Sequence, residues 1–150
     1  MTEKSLVEVI TSPNVARGRA NTTAHATKAN GFVFVTGQVG RKPDQPGNTS
    51  QRAELGSVTE QTVQVMENIK EILTAAGTDL RHVCKRNMFM THAGDFEEVH
   101  RVVEQYLGPM ASTCVVTGLL PSSARIEIEV IAVVPEATAS SSSTSEKRAS

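Results

Sequence analysis

The sequence predicts a single α+β domain, one mixed sheet covered on one face by two helices. Three observations carry this reading. An amphipathic helical stretch opens at Ser57 and stops before Gly77. A shorter one follows Asp95. Strand-like runs surround both, giving the order β-β-β-α-β-α-β-β, with hairpins expected at both ends.

Taken in order, Leu6 to Thr11 alternates loosely and reads as an edge strand before the break at Ser12-Pro13-Asn14. Thr22 to Lys28 is a weak strand candidate, low in apolar content. Phe32 to Thr36 is stronger, being aromatic, β-branched and bounded by Gly31 and Gly37. Residues 40 to 52 are loop by local composition. The first helix has the plainest signature. Ser57 and Glu60 make a capping box, and Val58, Thr62, Val65, Met66, Ile69, Ile72, Leu73 and Ala76 recur on one helical face. Gly77 follows, as a helix end prefers. His82 to Thr91 reads as a strand. Asp95 is expected to cap the second helix, with Phe96, Val99, Val103 and Tyr106 facing inward and Gly108-Pro109 ending it. Ser112 to Leu119 and Arg125 to Val134 read as two closing strands around a Pro-containing turn. The domain is expected over 1–135, and 136–150 as a disordered Ser-rich tail that cannot bury a core. The uncovered sheet face needs burial, and copies of the same chain are the economical cover.

Composition excludes several classes. The net charge is −1, from 15 basic and 16 acidic residues, so no basic field gathers a phosphate backbone. With 3% aromatics there is no stacking platform for single-stranded nucleic acid either. No apolar run approaches membrane-spanning length, and the acidic start, Met1 to Glu8, suits neither a signal nor a transit peptide. The expectation is a cytoplasmic protein. Cys84 and Cys114 lie far apart in apolar strand-like runs and read as buried, reduced thiols. His82 and Cys84 share a strand face, but no second ligand pair stands at zinc-like spacing, so neither metal nor cofactor is expected. His25, His92 and His100 read as surface or satisfied polar residues.

Several runs carry a resemblance. Gly31-Phe32-Val33-Phe34-Val35-Thr36-Gly37-Gln38, the helix end Glu67-Asn68-Ile69-Lys70…Ala75-Ala76-Gly77, Asp95-Phe96, Pro109 to Val116, Leu120-Pro121 and Ile126-Glu127-Ile128-Glu129 stand in the order of the Rid/YjgF family. The chain resembles these reactive-intermediate (enamine/imine) deaminases over roughly residues 20 to 134. The resemblance implies a chorismate-mutase-like fold and a homotrimer with small-molecule pockets in the clefts between subunits. It also implies that Glu127 lines the pocket and positions the hydrolytic water, with Cys114 and Thr36 beside it. The chain departs from the pattern at Ser112, where deaminating members carry a substrate-binding arginine. It departs again at Thr23 (a pocket tyrosine), His25 (a glutamine) and Gly94 (a pocket asparagine).

Each candidate also has a plain structural reading. By alternation alone, Arg125, Glu127 and Glu129 are the solvated face of a strand. Cys114 has no histidine nearby in sequence, and Thr36 and Ser112 have no triad partner at a recognisable spacing. Arg17 and Arg19 are either a solvated loop or a replacement for the missing charge. The sequence therefore implies a divergent family enzyme acting on a small metabolite, with Glu127 as acid/base. The competing reading is a non-catalytic trimer that binds small molecules or protects proteins. Simple 2-imino acids are expected to be poor substrates. An arginine would hold their carboxylate through two charge-assisted bonds, where Ser112 offers one neutral bond. That deficit is worth roughly 2–5 kcal/mol for a buried charge pair.

Overall fold

The computed structural model describes residues 2–18, 20–43 and 55–136. Its six strands are β1 (Glu8–Ile10), β2 (Ala26–Ala29), β3 (Phe32–Gln38), β4 (Val83–Met90), β5 (Ala111–Val116) and β6 (Ile126–Val133). Helix α1 (Val58–Ala75) falls between β3 and β4, and α2 (Phe96–Val103) between β4 and β5. The element order is the expected one.

The strands form one sheet in the order β1-β2-β3-β6-β4-β5, antiparallel except for β4 and β5. The β2–β3 hairpin turns on Asn30 (φ 49°) and Gly31 (φ 80°), the left-handed pair that a two-residue turn requires. At the other end the expected hairpin does not form. β6 inserts between β3 and β4, while β5 lies parallel to β4 at the far edge. Two physical facts decide this. A parallel partner needs a long crossover, and α2 supplies one between β4 and β5. β6 buries Ile126, Ile128, Val130 and Ala132 on one side, so it takes a central position flanked by two strands.

The core lies between that side of the sheet and the helices. Val65, Met66, Ile69, Ile72 and Leu73 of α1 pack with Val33, Met88, Met90, Ile126 and Ile128 of the sheet. Ser57 caps α1 as expected: its side chain accepts from the Glu60 N–H, and the Glu60 carboxylate accepts from the Ser57 N–H at 2.7 Å. At the far end Thr78 donates to Leu73 and Gly77 to Thr74, both through backbone N–H groups, which satisfies two orphan carbonyls.

Helix α2 departs from expectation in two ways. Asp95 stands at the cap position but its carboxylate makes no cap bond. It accepts instead from Nε and Nη2 along one edge of the Arg125 guanidinium, the Nε bond measuring 2.9 Å, and so ties the start of α2 to the entry of β6. Phe96 is exposed, with its ring 4.1 Å from that of His100, whereas Val99, Val102 and Val103 face the core. Cys84 also differs: it is exposed, at the place where the register of β4 against β6 shifts between Val83 and Lys85. Cys114 is half-buried, and neither cysteine is in a disulfide.

The opposite sheet face is open. Phe32, Phe34, Val115 and Val133 are all exposed. Lys85, Asn87, Glu129 and Ile131 line a shallow hollow among them. The proposed tail and most of the 40–52 loop lie outside the described residues.

Candidate functional site

A β-bulge builds the first part of the site. Val35 pairs with Val130 and Gln38 with Ile128, so Thr36 and Gly37 together oppose the single residue Glu129. Such an extra residue bends the strand and re-aims its side chains. The consequence appears at Gly37, whose missing side chain leaves room for Glu127. A Cβ there would collide with the Glu127 carboxylate oxygen and lie 3.0 Å from its Cδ. Glu127 is thus seated on bare backbone, half-buried, in a cleft of about 370 Å³ shared with Thr36, Thr23, Arg17, Arg41 and Asn68.

Electrostatics set Glu127 apart from its strand neighbours. Burial, and then the negative charge of Glu129, push its carboxyl above the ordinary carboxylate range. No lysine or arginine among the described residues forms an ion pair with it. Glu129 differs, because it accepts a hydrogen bond from the Asn87 side-chain amide at 2.9 Å. The simple picture of a solvated strand face therefore fits neither carboxylate.

The cleft wall is held by hydrogen bonds. The Thr36 hydroxyl donates to the Ala24 carbonyl at 2.6 Å, and the Thr36 N–H donates to His25. That hydroxyl retains its lone pairs and serves the cleft as an acceptor. His25 is buried. Its Nδ1 accepts from the Ser12 N–H at 2.9 Å, so Nε2 carries the proton and donates to the Ala16 carbonyl. It ties Ser12 to Ala16, and Ala16 lines the cleft, a structural role that agrees with its expected reading. Arg17 lines the cleft and Arg19 lies outside the described residues. Arg41, which sequence reasoning passed over as loop, folds back to donate to the Arg17 carbonyl at 3.3 Å. Ser122 follows Pro121 at the cleft rim, at positive φ like the next residue Ser123, and no local sequence signal marks it.

The remaining expected residues lie elsewhere. On β4, Arg86 shares a side with Met88 and Met90, which are buried under the helices. Arg86 pairs with Ser112 and Met88 with Cys114, so both residues of β5 belong to the helix side. Glu127 pairs with Phe89, one position out of phase, and belongs to the open side. Within one chain, then, Thr23, Thr36 and Glu127 come together. Ser112 and Cys114 stand on the opposite face at the β5 edge. Gly94 lies in the turn that starts α2, where an added Cβ would meet nothing within 4 Å.

The β5 edge has its own chemistry. Arg86 Nε donates to Ser112 Oγ at 3.0 Å. Burial raises the Cys114 thiol, with Arg86 acting in the other direction, so Cys114 is no ready thiolate. Among the described residues His100 Nε2 is buried without a partner, contrary to the expectation of a surface or satisfied histidine. Among the described residues no three His, Cys, Asp or Glu side chains converge as a metal site would require, and no helix is long and apolar enough to cross a membrane.

A mixed sheet with two helices on one face defines a class of small α+β proteins, and known proteins share that fold. The family model described as Endoribonuclease L-PSP matches residues 16–134. The chain belongs to that family, the Rid/YjgF proteins. It is 30% identical over 131 residues to the 2-iminobutanoate/2-iminopropanoate deaminase of Homo sapiens, covering 86% of this chain and 92% of that one. It is 33% identical to the mitochondrial protein MMF1 of Saccharomyces cerevisiae over 81% of each chain. Among solved structures, E. coli TdcF with bound serine superposes with a TM-score of 0.72 at 27% identity, covering 84% of this chain and 98% of that one.

Proposed function

We propose that this protein hydrolyses the imine or enamine form of a small metabolite, with Glu127 as the acid/base. The observation that carries the reading is the placement of Glu127: half-buried, unpaired with any described cation, raised in pKa and fixed against Gly37 in a cleft of ligand size. A carboxylate in that setting takes a proton from water and returns it in the same cycle. The ionised Glu127 accepts a proton from a bound water as the water oxygen attacks the imine carbon. The C=N electron pair moves to nitrogen, which is protonated, giving a carbinolamine. Glu127 then takes the hydroxyl proton and passes it to the amino nitrogen as the C–N bond breaks, so that ammonia leaves a carbonyl product. An enamine first gains a proton at carbon to become the imine. Water is the only co-reactant. The deaminase name of the human relative supports this reaction class, and the serine bound in TdcF supports a ligand the size of an amino acid.

The site as proposed needs a second subunit. Ser112 and Cys114 face away from the Glu127 cleft, and the open face exposes two phenylalanines and two valines that favour cover. A cyclic trimer would set the β5 edge of one subunit against the Glu127 cleft of the next. Light scattering is expected to give three times the 16.1 kDa chain mass. A monomer mass would remove the composite cleft. The two free thiols fit a reducing compartment, and we place the protein in the cytoplasm on that ground.

The reaction is tested by generating imines with an amino-acid oxidase and following carbonyl formation with and without the protein. Acceleration supports the enzyme. If no imine is accelerated while a metabolite co-purifies, the binding reading replaces it.

A further inference from the structure

We infer that Asp95, Arg125 and Gln61 form a latch that positions Glu127, by holding the entry of β6 to α1, to α2 and to the end of β4. The inference rests on the reading of Glu127 as the acid/base, and it adds three positioning residues, none of which lines the cleft.

The β3–β6 ladder stops short of Glu127. Its last pair is Gln38 with Ile128, just past the bulge. Glu127 pairs with Phe89 of β4 and has no ladder partner on β3. A strand end held on one side frays readily, and a frayed end would carry the Glu127 carboxylate off Gly37. Arg125, two residues earlier, meets that need at three points. Its N–H donates to Gln61 Oε1 at 2.9 Å, and its carbonyl accepts from the Thr91 N–H, just past β4, at 3.2 Å. Its guanidinium donates through Nε and Nη2 to the two carboxylate oxygens of Asp95.

The holding groups are themselves fixed. The Asp95 side chain is only 8% exposed, and Gln61 is 3% exposed. Gln61 Nε2 donates to the Gly56 carbonyl at 2.9 Å, ahead of α1. The Gln61 backbone also packs against Gly40, where an added Cβ would lie 2.7 Å from the Gln61 Cα. One glutamine thus joins the segment after β3, the start of α1 and the entry of β6. Asp95 does the same for the start of α2. A bidentate carboxylate–guanidinium pair fixes angle as well as distance, whereas apolar side chains of similar size supply comparable stability without the fixed angle. The precision of the pair is therefore what Glu127 gains from it.

The double variant Asp95→Leu with Arg125→Met separates position from stability. The pair is removed as a whole, so the net charge beside Glu127 does not change. Arg17, Arg41 and His25 of the cleft and Glu129 of the same strand stay in place. The variant should melt near wild type, keep its KM for an imine and lose about tenfold in kcat, part of the roughly hundredfold that misplacement by an ångström costs. Carbon-13 NMR should show Glu127 titrating closer to the ordinary carboxylate range than in wild type, because a loosened carboxylate gains water. Gln61→Met leaves the ion pair but removes the bond to the Arg125 N–H, and should act in the same direction. Arg125→Lys keeps a charged bond to Asp95 and should retain most of the activity and the wild-type titration. The titration needs no turnover. A shifted Glu127 in a protein that hydrolyses no imine would therefore keep the latch and remove the reaction. An unchanged Glu127 titration in either the folded double variant or folded Gln61→Met overturns the inference.

Discussion

Glu127→Gln is expected to lower kcat/KM for imine hydrolysis by about 10²–10⁴-fold, the usual contribution of a positioned acid/base. Glutamine keeps the shape of the side chain over Gly37 but cannot take a proton from water. Folding should not suffer. The carboxyl is pushed above the ordinary carboxylate range in the folded chain, by burial first and Glu129 second. A carboxyl with a raised folded pKa binds more protons folded than unfolded across that interval. Its contribution to stability therefore falls as pH rises from the ordinary carboxylate range through the raised value, and stays at its low level above it. At neutral pH the glutamine variant should melt no lower than wild type. In the wild type kcat/KM should rise with pH through the same raised value, because the ionised form is the base. Thermal melts and pH–rate profiles measure both. Activity retained in Glu127→Gln would remove the residue from the chemistry.

The second large effect is expected at Gly37. An alanine there places its Cβ where the Glu127 carboxylate now lies. The obstructed group is the end of a flexible side chain, so it swings aside at little cost to folding. The catalytic oxygen moves by an ångström or more, and misplacement on that scale costs about a hundredfold in rate. Gly40→Ala supplies the contrast. Its Cβ would stand 2.7 Å from the Gln61 backbone Cα, which cannot move without the helix. That variant should lose stability, seen as a lower melting temperature, whereas Gly37→Ala should lose activity and keep its melt. If the two variants behave alike, the close seat of Glu127 is not what Gly37 provides.

How much of this was legible in the sequence depends on the range of the interaction. The capping box of Ser57 and Glu60 and the apolar face of α1 are local, and they stand as read. The alternation of Ile126 to Val133 correctly marks a strand with one buried side. Alternation does not say which strands flank it, and so β5 and β6 were read as a hairpin although the sheet separates them by β4. Asp95 looked like a cap because caps are a local pattern; its partner Arg125 is 30 residues away and left no local trace. The same limit governs the site. Thr36, Gly37 and Glu127 could be carried over from a resemblance, but the bulge that joins them comes from the β3–β6 register. Arg86 sits between Lys85 and Asn87 in a strand and carries no motif. Only the parallel pairing of β4 with β5 places it on Ser112.

The central claim is that the working site joins the Glu127 cleft of one subunit to the β5 edge of another, where Ser112 and Cys114 stand. Mixed oligomers test it most directly. Glu127→Gln chains and chains whose β5 edge is blocked by Ser112→Trp, each expected to be inactive alone, are co-expressed with different tags, and the hybrid species is isolated and assayed. In a cyclic trimer every hybrid of the two chains has one interface in three that pairs an intact cleft with an intact edge. The account predicts that the isolated hybrids recover about a third of wild-type activity. Hybrids no more active than the two parents would contradict it, because each chain would then need both residues in itself.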